Sequence, residues 1–285
     1  MTFRYAGFAD EASRDLQTQI DTTHRASWNA IEVRMIGDKN VCDLSPAEWQ
    51  QAWDRLQDGG INIPCFGSGL CNWARPITAD FQVDVDELRR AAPRMHAAGC
   101  RLIRVMSYPN DPDTPLGDAD WRREAARRLR ELAAIAEGEG VVLAHENCSG
   151  YGGRGPDEIA ALLDDVDSPA FKVIFDTGNS TAHDDDHEAG WAYYNAVRDE
   201  IVHIHIKSYK RGDDGALTTC FPDEDPLQAR VLGDLKANGY DGWVSIEPHL
   251  CAAIHANKDI DDAEQAQAVY VDYARRLEQM VASLP

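Results

Sequence analysis

The chain has 285 residues, 44% of them hydrophobic, and a formal net charge of -21. That length suits one large core, since α/β barrels commonly fill about 200–250 residues or more as a single domain. No run approaches the ~18 apolar residues that span a bilayer, and so anionic a surface repels phosphate backbones and offers nucleic acid no basic footprint.

The beginning of the sequence lacks a basic stretch followed by an apolar one. The seven cysteines are odd in number, scattered and without a CxxC pair, which argues against a disulfide framework or a cysteine-based zinc site. A reduced, cytoplasmic setting is the default expectation.

In chain order, short apolar runs alternate with amphipathic helices. Strands are predicted at 4–8, 30–35, 62–66, 102–107, 141–146, 172–176, 202–207 and 243–247. Between the second and third, Ser45-Pro46-Ala47-Glu48 reads as a capping box with proline at the first helical position, and Gly59-Gly60 closes that helix. Residues 120–136 form a predicted helix whose stripe is Trp121, Ala125, Leu129, Leu132 and Ile135. Pro156-Asp157-Glu158 opens the next helix, and a last one is expected over 262–282. Eight alternations without a break in composition predict a single (β/α)8 TIM barrel, one domain over 1–285. The competing architecture, an open doubly wound sheet, normally places a Gly-rich turn after its first strand. Here Phe8 is followed by Ala9-Asp10-Glu11-Ala12-Ser13, with no GxGxxG.

Four of the strands end on an ionisable residue and run into a polar or Gly-rich loop. The residues are Glu146, Asp176, His205 and Glu247. In such barrels the C-terminal strand ends build the active site, and alternation puts His203, His205 and Lys207 on one face, and Ser245, Glu247 and His249 on another. Burying so much charge without a counter-ion costs several kcal/mol per group, so a bound cation is expected. Three carboxylates and one imidazole suit Mn, Mg, Co or Zn. His203, one layer below, is expected in the core or behind His205.

The runs Ala144-His145-Glu146-Asn147, Phe175-Asp176-Thr177-Gly178-Asn179, His203-Ile204-His205-Ile206-Lys207 and Ser245-Ile246-Glu247-Pro248-His249 resemble motifs of the xylose-isomerase-like TIM barrels. That superfamily includes sugar phosphate isomerases/epimerases, ketose 3-epimerases, inosose dehydratases and the endonuclease IV type of DNA repair enzyme. The resemblance implies that Glu146, Asp176, His205 and Glu247 hold one divalent metal, commonly Mn2+, and that Glu146 and Glu247 also carry the chemistry. It implies a substrate-binding role for Arg211, six residues past His205. Asn179 stands where many members carry a histidine three residues after the metal aspartate. A dimer or tetramer is what the resemblance suggests. The endonuclease branch needs three metals and further histidines, which residues 61–66 and 102–108 do not supply.

The expected chemistry is proton transfer beside a metal-bound carbonyl of a ketose or related polyol. Glu146 and Glu247 act from opposite sides, one abstracting and one returning the proton. Return to the other face gives epimerisation; departure of a β-hydroxyl or glycosidic group gives a lyase, a dehydratase or β-eliminating enzyme. A non-catalytic sugar-binding barrel or partner subunit is the third reading, and two opposed glutamates argue against it. Lys207 and His249 either hold substrate oxygens or form a rim ion pair and a solvated loop histidine. Trp73 either covers an apolar sugar face or makes a dimer contact. Glu32, Arg34 and Arg104 are expected to pair structurally inside the barrel. The Gly150-Tyr151-Gly152-Gly153-Arg154 segment reads as a loop flexible enough to close over a ligand.

Overall fold

The structure is a computed structural model that describes residues 3–250 and 263–285. Its strands are β1 (Arg4–Gly7), β2 (Met35–Ile36), β3 (Lys39–Asn40), β4 (Cys65–Phe66), β5 (Leu102–Ser107), β6 (Val142–Gly150), β7 (Phe171–Asp176), β8 (Ile201–Ile206), β9 (Tyr209–Arg211), β10 (Leu217–Thr219) and β11 (Trp243–Ile246). The helices are α1 (Leu16–Arg25), α2 (Pro46–Asp58), α3 (Gln82–Ala98), α4 (Asp118–Glu139), α5 (Pro156–Val166), α6 (Asn179–Asp184), α7 (His187–Val197), α8 (Pro226–Ala237) and α9 (Ala263–Ser283). The expected first residue of the last helix, position 262, and Cys251 lie outside the described residues.

Seven strands form one curled sheet in the order β1-β11-β8-β7-β6-β5-β4, and its neighbours run parallel. This is the α/β barrel that the alternation predicts, with one local difference. The expected second strand is reduced to two isolated parallel bridges, Ala30 with Asn62 and Val33 with Phe66. The segment nonetheless closes the ring. Glu32 N–H donates to Gly7 O at 3.1 Å on one side, and Gly67 N–H to Val33 O at 2.8 Å on the other. It does not extend as a ladder because the chain turns at Met35 into the β2–β3 ribbon, around Gly37 at φ 60°. The other small ribbon, β9 with β10, follows β8.

Alternation sorts the strand side chains. Ile103, Val105, Leu143, Val173, Phe175, Ile204 and Ile246 point outward into one hydrophobic cluster shared with the helices. The second, small cluster gathers Cys65, Ala144 and Ile174, which belong to the opposite parity and plug the barrel interior. Polar side chains of the inward face are therefore left above that plug. The helices form where their local signals sit. Ser45 and Glu48 make the reciprocal capping box, Pro46 is first in the helix, and Gly59 caps its end. α4 buries Ala125, Leu129 and Leu132 and stops at Gly140, whose φ is 67°. No helix among the described residues is long and apolar enough to cross a membrane.

The Gly150–Arg154 segment differs from expectation. β6 runs through Gly150, and Tyr151–Gly153 form a buried 3-10 turn. Gly152 N–H donates to Ser107 Oγ at 2.8 Å, and the same oxygen meets His145 Nε2 at 3.0 Å. A Cβ on Gly150 would lie 2.4 Å from the Ser107 carbonyl carbon, at φ 91°. The glycines serve close backbone packing here.

Candidate metal centre

β6, β7 and β8 carry Glu146, Asp176 and His205, and Glu247 follows the last residue of β11. Parallel pairing sets Asp176 opposite His205 and His205 opposite Ser245. Glu247 N–H continues that ladder to Ile206 O at 3.0 Å. Asn147 pins the Asp176 backbone from both sides, accepting its N–H at 2.6 Å and donating to its carbonyl at 2.9 Å. All four residues are buried, and each offers one ligand atom within 4.8 Å of the other three.

The donors fit a hard divalent ion. Asp176 Oδ1 accepts from the N–H groups of Gly178 and Asn179 at 2.8 and 2.9 Å, whereas Oδ2, fully buried, makes no hydrogen bond. Glu247 Oε2 is likewise buried without a hydrogen bond of good geometry. His205 Nε2 lies 3.2 and 3.1 Å from the two oxygens of Glu32, and Nδ1 lies 2.9 Å from Glu146 Oε1. A proton held on Nε2 by Glu32 leaves the Nδ1 lone pair free to ligate a metal on the Glu146 side, the usual carboxylate–histidine arrangement behind a metal. His203 sits behind, with Nε2 2.7 Å from Glu32 Oε2.

Burial alone would push these carboxyls up and the imidazole down. Arg104 and His205 outweigh burial at Glu146, holding it at about 2. Lys207, His249 and Arg34 do the same for Glu247, which falls well below the carboxylate range. His205 is raised to about 10, because Glu32 and Glu146 overcome its burial. Burial prevails only at Asp176, which is raised even though Lys207 stands beside it.

The residues singled out from the sequence divide into two groups. Lys207 is buried with Nζ 2.9 Å from Glu247 Oε2, and it donates to Asn179 Oδ1 at 3.0 Å, so both belong to the cluster. His249 Nε2 is 3.3 Å from Glu247 Oε1. Arg211 is exposed and engaged elsewhere, donating to Asp185 O at 2.6 Å and Gly215 O at 2.5 Å. Trp73 is 50% exposed, in the stretch that follows β4.

Glu32, Arg34 and Arg104 pair inside the barrel, and their partners there include members of the quartet. Arg34 Nη1 meets Glu247 Oε1 at 2.5 Å while its Nε donates to Asp10 Oδ2 at 2.8 Å. Arg104 Nη1 donates to Glu146 Oε2 at 3.3 Å, and Glu32 holds His205. Their inward parity was legible from alternation; their partners were not. Asp10 and Glu11, the acids three and four residues past the end of β1, also join the cluster. The ring of Phe8 forms its apolar floor, with the Arg34 guanidinium 4.2 Å above its centroid and His205 edge-on at 5.0 Å.

Residues 20–270 match the family described as xylose isomerase-like TIM barrel. The chain spans about half the length of the curated relatives it matches. One is an inosose dehydratase of Lactiplantibacillus plantarum, 26% identical over 147 residues that cover 46% of this chain and 47% of the relative. Among solved structures, a D-psicose 3-epimerase crystallised in the presence of D-fructose superposes with a TM-score of 0.71 at 16% identity, over 99% of this chain and 100% of that one. A xylose isomerase-like TIM barrel protein from Mycobacterium smegmatis in complex with magnesium gives 0.66 at 16% identity, over 98% and 97%. At such identities the structural likeness is one of fold.

Proposed function

The chain belongs to the xylose isomerase-like TIM barrel family, and we propose that it is a divalent-metal-dependent isomerase or epimerase of a ketose or related polyol. The observation that carries this reading is the convergence of four buried donors, one from each of Glu146, Asp176, His205 and Glu247. Mn2+ is the ion proposed first, with Mg2+ supported by the magnesium complex of a protein of the same fold. A bound ion would supply Lewis-acid polarisation of the substrate carbonyl and offset the charge of the enediolate.

The chain's own groups do the rest. Glu247, anchored through Oε1 by Arg34, takes the proton from the carbon beside the carbonyl. Glu146, anchored through Oε2 by Arg104, passes a proton taken up from solvent to the opposite face, while the abstracted proton leaves Glu247 to solvent. Lys207, with Asn179 beside it, and His249 hold substrate oxygens and fix the carbon between the two glutamates. Arg211 and Trp73 are proposed as outer contacts. A lyase acting on a keto-sugar or keto-cyclitol shares the first proton transfer, and the inosose dehydratase relative favours it as the second reading.

The test is incubation of the metal-loaded protein in D2O with a panel of ketoses and keto-cyclitols, followed by NMR. Deuterium on a recovered or epimerised sugar supports the first reading, and loss of water or a glycosidic group the second. Protein that carries its metal yet exchanges no carbon-bound proton in any member of the panel overturns both.

A further inference from the structure

We propose that Lys207 is a resident counter-cation of the metal centre, whose ammonium group competes with the divalent ion for Asp176 and Glu247, so that removing it tightens metal binding. This rests on the metal-dependent reading above. Lys207 follows His205 by two residues and shares its inward parity. Its Nζ lies 2.9 Å from Glu247 Oε2 and 3.4 Å from Asp176 Oδ2. Those are the two carboxylate oxygens of the quartet left without a hydrogen bond. Their partners on the same carboxylates are already committed, Asp176 Oδ1 to two backbone N–H groups and Glu247 Oε1 to Arg34. The ammonium therefore stands where both carboxylates have lone pairs to spare.

The other basic groups act differently. Arg34 touches one quartet carboxylate, and Arg104 touches Glu146 alone. Among the described basic side chains outside the quartet, Lys207 is the one that bridges two of its members. A single positive charge and a divalent ion sharing the same buried oxygens repel each other, and the low-dielectric interior sharpens that repulsion. Lysine suits such a role better than arginine, because its point charge sits on a flexible four-carbon stem. Two neighbours keep a place for it once the ion is bound. Asn179 Oδ1 accepts from Nζ at 3.0 Å, and Gly178 leaves room for the stem, since a Cβ there would come within 2.9 Å of Lys207 Cβ and Cγ.

A lysine that merely braces the carboxylates predicts the opposite sign: without it they splay, and the metal binds more weakly. The experiment is calorimetric titration of the chelated protein with Mn2+, comparing the unsubstituted chain with Lys207→Met, Lys207→Gln, Lys207→Arg and Asp176→Asn, each checked for folding by near-UV circular dichroism. Expected are affinities tighter by on the order of tenfold for Lys207→Met and Lys207→Gln, no such gain for Lys207→Arg, and severe loss for Asp176→Asn. The chelated Met and Gln variants should also melt lower and gain more on adding Mn2+. Unchanged or weaker affinity in whichever of the two neutral variants folds overturns the role of Lys207. If the unsubstituted chain binds Mn2+ and Asp176→Asn does not, that failure leaves the metal centre standing. If neither binds Mn2+, the metal reading falls and this proposal falls with it.

Discussion

Arg34 and Glu247, 213 positions apart in the chain, meet at 2.5 Å between Nη1 and Oε1 inside the barrel. The same guanidinium holds Asp10 with two further nitrogens, at 2.8 and 3.2 Å. One buried cation, at the end of the segment that closes the ring of strands, thus ties the residue after β11 to the turn after β1. Removing it strands two buried carboxylates at once. Arg34→Met should lower the unfolding free energy by about 3–5 kcal/mol, measured by urea denaturation of the chelated protein. A loss below about 1 kcal/mol would show that the pair acts like a surface ion pair.

Glu32 takes His205 Nε2 and His203 Nε2 on its two oxygens. Glu32→Gln keeps the shape but supplies a donor where an acceptor is needed. Losing the partner behind a ligating histidine typically costs about 10- to 100-fold in metal affinity, and Mn2+ calorimetry reads it directly. Affinity equal to that of the unsubstituted chain would mean that His205 needs no such support.

Glu247→Gln removes a proposed ligand and a proposed base together. Proton exchange into the responding substrate should fall by at least about 100-fold, with weaker Mn2+ binding beside it. A variant that keeps full exchange after exhaustive chelation contradicts the mechanism.

The chelated protein should be most stable on the acidic side of neutrality. Glu146 drops from 4.5 to about 2 in the folded state, because Arg104 and His205 outweigh burial. A depressed carboxyl contributes stability above its unfolded value and loses it as pH falls toward the folded one. His205 rises from 6.5 to about 10, so its contribution is complete below about 6.5 and lost as pH climbs through 10. Burial raises Glu11 to about 7, which costs stability between about pH 4.5 and 7 and so acts in the same direction as His205. Thermal unfolding in a chelating buffer should therefore peak below pH 6.5 and decline toward 10. A maximum at pH 8 or above would contradict the pairing of His205 with Glu32 and Glu146.

Gly150 occupies φ 91° with its Cα against the Ser107 carbonyl. An added methyl group meets backbone there, not a movable side chain. Gly150→Ala should destabilise by about 1–3 kcal/mol or more, read as a lower melting temperature. A neutral effect would restore the idea of a mobile glycine loop.

Patterns that act over short distances are complete within the sequence. The capping box at Ser45, the proline that opens α5 and the period-two alternation of His203, His205 and Lys207 each depend on neighbours a few positions away, so the barrel and the parity of its polar face are legible. The quartet was legible too, because each member ends its own apolar run. Three things needed the folded chain. The segment around Glu32 and Arg34 contributes only isolated bridges, because the chain turns at Met35 into the β2–β3 ribbon. The glycines after Glu146 pack where a loop composition suggests motion, because Ser107 lies against them. And the basic side chains Arg34, Arg104 and Lys207 found their carboxylates only when barrel closure brought distant strands together, since charge pairing depends on separation in space and not along the chain. The sequence by itself determined which residues face the interior; only the tertiary structure decided which charges meet there.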